Sequence, residues 1–316
     1  MRVLVTGGAG FIGSHVVDSS VALGHQVLAL DDLCRGRREN LAGALARGAR
    51  LEVADIRAPE AAAAVRAFAP ELVCHHAAQL DVRKSVADPA FDADVNLVGF
   101  LRVLEAARLG GALTHVVFAS SGGAMYGEQD EFPARENHPV RPESPYGLAK
   151  AVSEQYLAWY RRMYGIGFTA LRYGNVYGPR QSPHGEAGVV AIFCTRILAN
   201  QALTIYGDGR QTRDYVFVDD VVDANVRAME RRPQGGFNIG TAVETDVCEL
   251  ARRLIEVSGR KIDVRHAEAR AGEQKRSVVD PTAFGDATSW RPTVAVAEGL
   301  ARTYQWFAAG GTGGGV

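Results

Sequence analysis

The chain has 316 residues, 47% of them apolar, with 35 Lys plus Arg against 36 Asp plus Glu and a formal net charge of −1. That length suits one large α/β unit with a smaller lobe, and the composition is that of an ordinary globular protein. The charge balance gives no electrostatic case for nucleic acid or an anionic membrane, and no apolar run approaches a membrane span.

The chain enters an apolar run, Met1 to Thr6, with no basic segment or cleavage site before it. No secretory signal is expected, and a cytoplasmic location is. Gly7-Gly-Ala-Gly-Phe-Ile-Gly13 follows the run and leads into a helical pattern, Phe11 to Leu23. Gly8, Gly10 and Gly13 fit GxGxxG, while Gly7, Gly10 and Gly13 fit GxxGxxG. A turn of this kind between strand and helix lets the backbone approach a pyrophosphate, whose charge meets the helix N-terminal amides. Asp31 ends the second strand run, Gln26 to Leu30, at the distance expected of an acid on an adenosine ribose.

Further strands are predicted at Leu51–Asp55, Glu71–His76, Thr114–Ser120 and Phe168–Tyr173. Helices are predicted at Pro59–Phe68, Asp92–Leu109 and Tyr146–Tyr164. This alternation implies a doubly wound parallel sheet of Rossmann type, with ligands beyond the carboxyl ends of its strands. After about Asn175 the segments shorten and Gly and Pro become frequent. The expected division is a dinucleotide-binding domain over 1–174 plus about 211–242, and a smaller discontinuous lobe over about 175–210 plus 243–308. Asp214 to Asp220 and the helix after it are expected to return to the main sheet before Gly236–Gly240, and 309–316 to form a flexible tail.

Tyr146 and Lys150 are four residues apart and share a helix face. An ammonium beside a phenol favours the phenolate and makes a usable general base. Ser120 and Ser121 end the fifth strand before a glycine pair and can present a hydroxyl to a substrate oxygen. Cys34, Cys74, Cys194 and Cys248 fall in no metal-ligand spacing, and His75, His76, His115, His138 and His184 form no metal constellation, so no metal is expected. The Asp219–Asp220 pair suits strand-end capping better than acid–base chemistry.

These residues lie in segments spanning nearly the whole chain: Thr6 to Gly13, Asp31 to Leu33, Asp55-Ile56, His76 to Gln79, Val95-Asn96, Ser120-Ser121, Tyr146 with Lys150, Arg172 to Arg180, Gly207 to Gly209, Arg213 to Tyr215, Val218 to Asp220 and Phe237 to Gly240. In that order they resemble the extended short-chain dehydrogenase/reductases, most closely the nucleotide-sugar 4-epimerases. The resemblance implies NAD as cofactor, with Gly7, Gly10 and Gly13 at the pyrophosphate and Phe11 and Ile12 over it. Asp31, followed by Asp32, would hold the adenosine ribose; although Arg35, Arg37 and Arg38 follow closely, a carboxylate there would repel the 2′-phosphate of NADP. Asp55 and Ile56 would flank adenine, Ala77, Ala78 and Gln79 would line the cofactor, and Asn96 would support it.

By the same resemblance Ser121, Tyr146 and Lys150 form the catalytic triad. The family often places its Ser or Thr four residues before the tyrosine of a VYG-like segment, which is Gly122 here; Ser121 is the assignment and Ser120 the alternative. Asn175, Gly188, Val189, Val190, Thr204, Tyr206, Arg213, Arg270 and Glu273 would bind the nucleotide sugar, together with Ser121 and Tyr146. Gly174 stands where many relatives carry phenylalanine. The implied reaction is inversion at C4 of a UDP-sugar through a transient 4-keto sugar, in a homodimer. UDP-glucose and UDP-galactose are the expected pair, and the N-acetylated pair is expected to fit if Ser277 lies beside the hexose. The alternatives are a uronic acid epimerase, a 4,6-dehydratase, or a non-catalytic NAD-binding protein; a dehydratase needs an Asp-Glu pair where this chain has Gly122-Gly123.

Overall fold

The computed structural model describes residues 1–184, 188–269 and 274–311. The first half alternates as β1 (Arg2–Thr6), α1 (Phe11–Ala22), β2 (Gln26–Asp31), α2 (Ala42–Ala46), β3 (Arg50–Val53), α3 (Pro59–Phe68) and β4 (Leu72–His75). Then come α4 (Val82–Ala87), α5 (Pro89–Ala93), α6 (Phe100–Leu109), β5 (His115–Ser121), α7 (Gly122–Met125), α8 (Pro145–Tyr164), β6 (Gly167–Tyr173) and β7 (Asn175–Tyr177). The rest of the chain forms α9 (Val189–Leu198), β8 (Leu203–Tyr206), β9 (Thr212–Phe217), α10 (Val218–Arg231), β10 (Gly235–Ile239) and β11 (Glu244–Asp246). It ends with α11 (Val247–Ser258), β12 (Val264–Ala267), β13 (Arg276–Ser277), α12 (Thr282–Thr288) and α13 (Val296–Ala308).

Seven strands form one parallel sheet in the order β10-β6-β5-β4-β1-β2-β3. Its central strands are apolar on both faces, as a sheet covered by helices on each side requires. Successive side chains alternate between two cores. Val3, Val5, Cys74 and Val117 pack with α1 and α10 on one side. Leu4, Val73, Val116 and Phe118 pack on the other with Phe100 and Val103 of α6 and Leu157 of α8. A third core, including Phe193, Ile197, Leu203, Ile205, Leu250 and Leu300, holds the smaller lobe together.

The reversal of strand order between β4 and β1 opens a crevice at the carboxyl edge, where an open α/β sheet takes its ligand. Two local features shape that edge. Ser144 caps α8 by accepting the Gly147 amide at 3.2 Å, and Pro145 fills the first turn, so the helix starts one residue before Tyr146. The helix expected over Asp92–Leu109 is interrupted by a π-helical turn, Asp94–Gly99. Gly99 sits there because Ile56 crosses against it: a Cβ would lie 2.8 Å from Ile56 Cδ1. Inserted turns of this kind re-aim side chains, here Asn96.

One expectation needs correcting. The segment Asp214 to Asp220 does not return to the main sheet; β9 is the centre of a separate sheet with β7, β11 and β13, and only α10 and β10 rejoin the large one. Buried Asp214 fixes where β9 lies. Its carboxylate accepts from Thr241 N and Oγ1 at 2.7 and 2.6 Å, from Ala242 N at 3.1 Å and from Val279 N at 3.3 Å, tying β9 to the turn after β10 and to Val279. Of the Asp219–Asp220 pair, Asp220 accepts from Thr293 N, Thr293 Oγ1 and Val294 N, while Asp219 pairs with Arg302 at the surface. Asp220 is thus a clasp on the 293–294 turn. Among the described residues no helix is long and apolar enough to cross a membrane, and no cluster of three or more His, Cys, Asp or Glu is arranged to hold a metal.

Candidate active site

The turn after β1 is built by close backbone approach. Gly7 has φ +63°, and a Cβ on it would sit 2.7 Å from Ala77 N at the end of β4. A Cβ on Gly13 would overlap the Gly7 carbonyl oxygen, so α1 can start against the turn only with glycine there. Gly10 is the N-cap of α1 and no side chain caps that end, which leaves first-turn amides open to an anion. Asp31, at the end of β2, accepts from Ala9 N at 2.9 Å and Leu33 N at 2.8 Å. Burial pushes its carboxyl up, against those two amides. Asp32 accepts from Cys34 N. An open anion cradle beside a carboxylate fits the pyrophosphate and ribose of a dinucleotide.

Phe11 packs towards the lobe core and meets His15 edge-on, whereas Ile12 packs into the core beneath α1. Asp55 is engaged by Arg57, whose guanidinium also reaches Asp94 at 2.9 Å. Ile56 is buried against the π turn. Past β4, Thr6 Oγ1 contacts His75 Nδ1 at 2.9 Å and accepts from Ala77 N at 3.2 Å. Asn96 clamps Gln79, accepting its amide and donating to its carbonyl, both at 2.9 Å. The segment 77–79 is thereby held as a fixed floor beside the glycine turn.

Tyr146 and Lys150 rise from the first turns of α8, with Lys150 Nζ 5.7 Å from the Tyr146 ring centroid. Lys150 is 3% exposed; its Nζ donates to Ala119 O at 2.8 Å and lies 4.8 Å from the Phe118 ring. Burial lowers the lysine to about 8, against the raising influence of Asp92 and Glu154. The lysine was expected to pull the tyrosine down. Instead burial, then Asp92, push Tyr146 up to about 12. Tyr146 is half-buried, and the loss of solvation around its phenol sets the direction of the shift.

The two serines of β5 are differently engaged. Ser120 Oγ is buried and donates to Glu154 Oε1 at 2.6 Å. Glu154 in turn pairs with Arg172 at 2.7 Å, and Arg172 donates to Tyr126 Oη at 3.0 Å. Ser121 Oγ accepts the Ala124 amide at 3.2 Å, and its own hydroxyl proton has no acceptor among the described residues. Gly147 packs against Ala124 O, which brings α7 and the tyrosine end of α8 together.

Facing the glycine pair from the second sheet are β7, β9 and β13. A Cβ on Gly123 would lie 3.6 Å from Ser277 Oγ and 4.0 Å from Asn175 Oδ1, so these groups converge on the glycine pair. Ser277 pairs with Arg213 in register. Gly174 is explained by Asp214, whose carbonyl oxygen would stand 2.8 Å from a Cβ there. Thr204 and Tyr206 point away from the lobe core on β8 while Leu203 and Ile205 point into it. Gly188 caps α9, with Val189 and Val190 in its first turn. Arg270 and Glu273 lie outside the described residues.

Two buried carboxylates were not singled out from the sequence. Glu154 continues the 146–150 spacing by another four residues, which places it on the same helix face. Asp92 stands four before Asn96 in the same way, and that spacing was the available signal.

A parallel sheet in this order, a glycine turn after its first strand and a Tyr–Lys pair on the helix after its fifth define an extended short-chain dehydrogenase/reductase. The chain belongs to the NAD dependent epimerase/dehydratase family, whose model matches residues 3–240. It is 48% identical over 312 residues to a UDP-glucose 4-epimerase of Mycolicibacterium smegmatis, covering 97% of this chain and 98% of that protein. The solved UDP-glucose 4-epimerase of Thermotoga maritima with UDP-glucose superposes with a TM-score of 0.93 at 44% identity, covering 98% of this chain and 99% of that one. The UDP-glucose 4-epimerase of Thermus thermophilus in complex with NAD gives 0.91 at 45% identity, with the same coverage of 98% and 99%.

The geometry of the glycine turn predicts the effect of filling it. Gly13→Ala should weaken NAD binding at least tenfold, measured by NAD retained after purification and by titration of the stripped protein, because the added methyl displaces the turn from the α1 amides.

Proposed function

We propose that this protein interconverts UDP-glucose and UDP-galactose by inverting C4 of the hexose. The observation that carries this reading is that Tyr146 and Lys150 share the first turns of α8, with Lys150 Nζ tied to Ala119 O of β5, while Ser121 ends that same strand with its hydroxyl proton unclaimed among the described residues. The names of the relatives support it. Residues 1–174 plus about 211–242 form the dinucleotide-binding part on this reading, and about 175–210 plus 243–308 the nucleotide-sugar lobe; β9, although outside the main sheet, carries Arg213 to the sugar side.

Bound NAD supplies the redox chemistry, a temporary oxidation at C4. When it is bound, the α1 amides would hold its pyrophosphate, Asp31 its adenosine ribose, and the 77–79 segment clamped by Asn96 would line the crevice. Tyr146 accepts the proton of the 4-hydroxyl and later returns it. Ser121 donates to the same oxygen and fixes its position. Lys150 supplies positive charge below the phenol, and the cationic ring of the oxidised cofactor adds to it. Together these offset the burial that holds Tyr146 near 12 in the bare protein. The 4-keto sugar must turn over between the two steps, so the grip belongs on the diphosphate and base, through Arg213, Arg270 and the 204–206 and 188–190 segments. Arginine suits that role because its planar fork matches phosphate oxygens.

Elimination chemistry finds no support. Gly122 and Gly123 replace the acid pair a dehydratase needs, and a side chain on Gly122 would meet Val279 Cγ1 at 2.8 Å. Small groups at Gly123 and Ser277 leave room beside the hexose, so UDP-N-acetylhexosamines belong in the substrate panel with the uronic forms. The four cysteines are free thiols, which supports a reducing, cytoplasmic setting.

Homodimer formation is part of the same proposal. The outer face of α8 exposes Tyr156, Trp159, Met163 and Tyr164, and α6 exposes Leu109 beside it. Trp159 and Met163 are 38% and 60% exposed, an apolar area that a second copy would cover.

Two measurements check these readings. Tyr146→Phe should lower kcat for UDP-galactose formation by about 10²–10⁴-fold while retaining NAD, the range expected for loss of a positioned acid–base group; turnover near wild type would remove the mechanism. Trp159→Glu should convert the dimer to monomer by light scattering, and an unchanged mass would place the interface elsewhere.

A further inference from the structure

A buried ammonium is costly unless a counter-charge faces it. Lys150 is such a group, and its one direct hydrogen bond among the described residues goes to a neutral carbonyl. Two carboxylates act on it, Glu154 on its own helix and Asp92 on α5, which packs across α8. Glu154 is already committed: Arg172 contacts both its oxygens and Ser120 donates to one of them.

Asp92 is different. It is fully buried. Its Oδ1 accepts from Asn96 Nδ2 at 2.9 Å and Gln79 Nε2 at 3.1 Å, which fixes the carboxylate by two neutral amides. Its Oδ2 is buried and has no partner among the described residues. The other charged groups nearby do not compensate it. His75 and His76, at the end of β4, are held neutral, chiefly by burial and then by Lys150 itself, His76 being lowered to about 3. On α4, Arg83 and Lys84 are exposed, with Lys84 over the Phe91 ring, and Asp94 of the π turn pairs with Arg57.

We propose that Asp92 is the buried counter-ion of Lys150 and, through that charge, a positioning residue that sets the pH range in which Tyr146 exchanges its proton. It keeps the ammonium charged and opposes the phenolate, so both transitions lie higher with Asp92 than without it. Its tether also matters: Gln79 and Asn96, which hold the floor of the cofactor crevice, hold the counter-ion as well. This rests on Tyr146 as the proton carrier, and the two ideas fail separately. Turnover by Tyr146→Phe would defeat the carrier, while an unmoved Tyr146 titration in the Asp92 variant would defeat the counter-ion.

The test uses the NAD-loaded protein and Asp92→Asn, which keeps an oxygen for the Asn96 and Gln79 amides. Tyrosinate absorbance is titrated in the wild type and the variant, each corrected with its Tyr146→Phe counterpart. The Tyr146 midpoint should fall by about one pH unit, the lower end of the effect of removing a nearby like charge. Both limbs of the kcat profile should move in the same direction, and Asp92→Glu should restore them. A midpoint and limbs that stay in place in a folded variant overturn the proposal, whatever happens to the rate. If Asp92→Asn does not fold, Asp92→Asn with Lys150→Met decides: a folded double variant supports the pair, because both charges are gone, and an unfolded one overturns it.

Discussion

Everything at this site is organised around one charge in a dry place. Lys150 must stay cationic with almost no access to water, and the structure meets that demand from several directions. Ala119 offers a carbonyl, the Phe118 and Tyr146 rings offer their faces, and two carboxylates supply field. The same dryness pushes Tyr146 up. The bare protein is therefore poised against ionising its phenol. On the proposed function, positive charge from an oxidised cofactor would tip the balance, and acid–base work at Tyr146 would be coupled to the group that completes the site.

The rest of the fold braces that arrangement. Buried polar ties brace the edge of the sheet. Arg172 of β6 links Glu154 of α8 to Tyr126, and Tyr126 donates to Asn238 of β10 at 2.7 Å. Asp214 binds the 241–242 turn and Val279. Such networks are costly when half satisfied, so they hold a single geometry when complete. By contrast, the groups around Gly123 are small. On the proposed function, a fixed acid–base end facing small groups suits a reaction in which the hexose must present both faces.

Much of this was legible in the sequence because strand–helix alternation and glycine spacing are local properties. The glycine turn, the parallel sheet and the helix bearing Tyr146 and Lys150 follow from patterns within a dozen residues. What was hidden depends on contacts between distant segments. The place of β9 is fixed by Asp214 meeting Thr241 and Val279, and nothing near Asp214 in sequence announces those contacts. The π turn arises from Ile56 crossing Gly99. The distinction between Ser120 and Ser121 is set by Glu154, 34 residues from Ser120 in the chain. The direction of the Tyr146 shift also reversed, because adjacency of a lysine is visible in a sequence and burial is not.

The central claim is that C4 is oxidised and reduced within one closed encounter. UDP-glucose carrying deuterium at C4 tests it directly. The account predicts UDP-galactose that retains the label at C4 in ordinary water, since the hydrogen taken from that carbon returns to it. Product with the label lost to solvent would contradict the account.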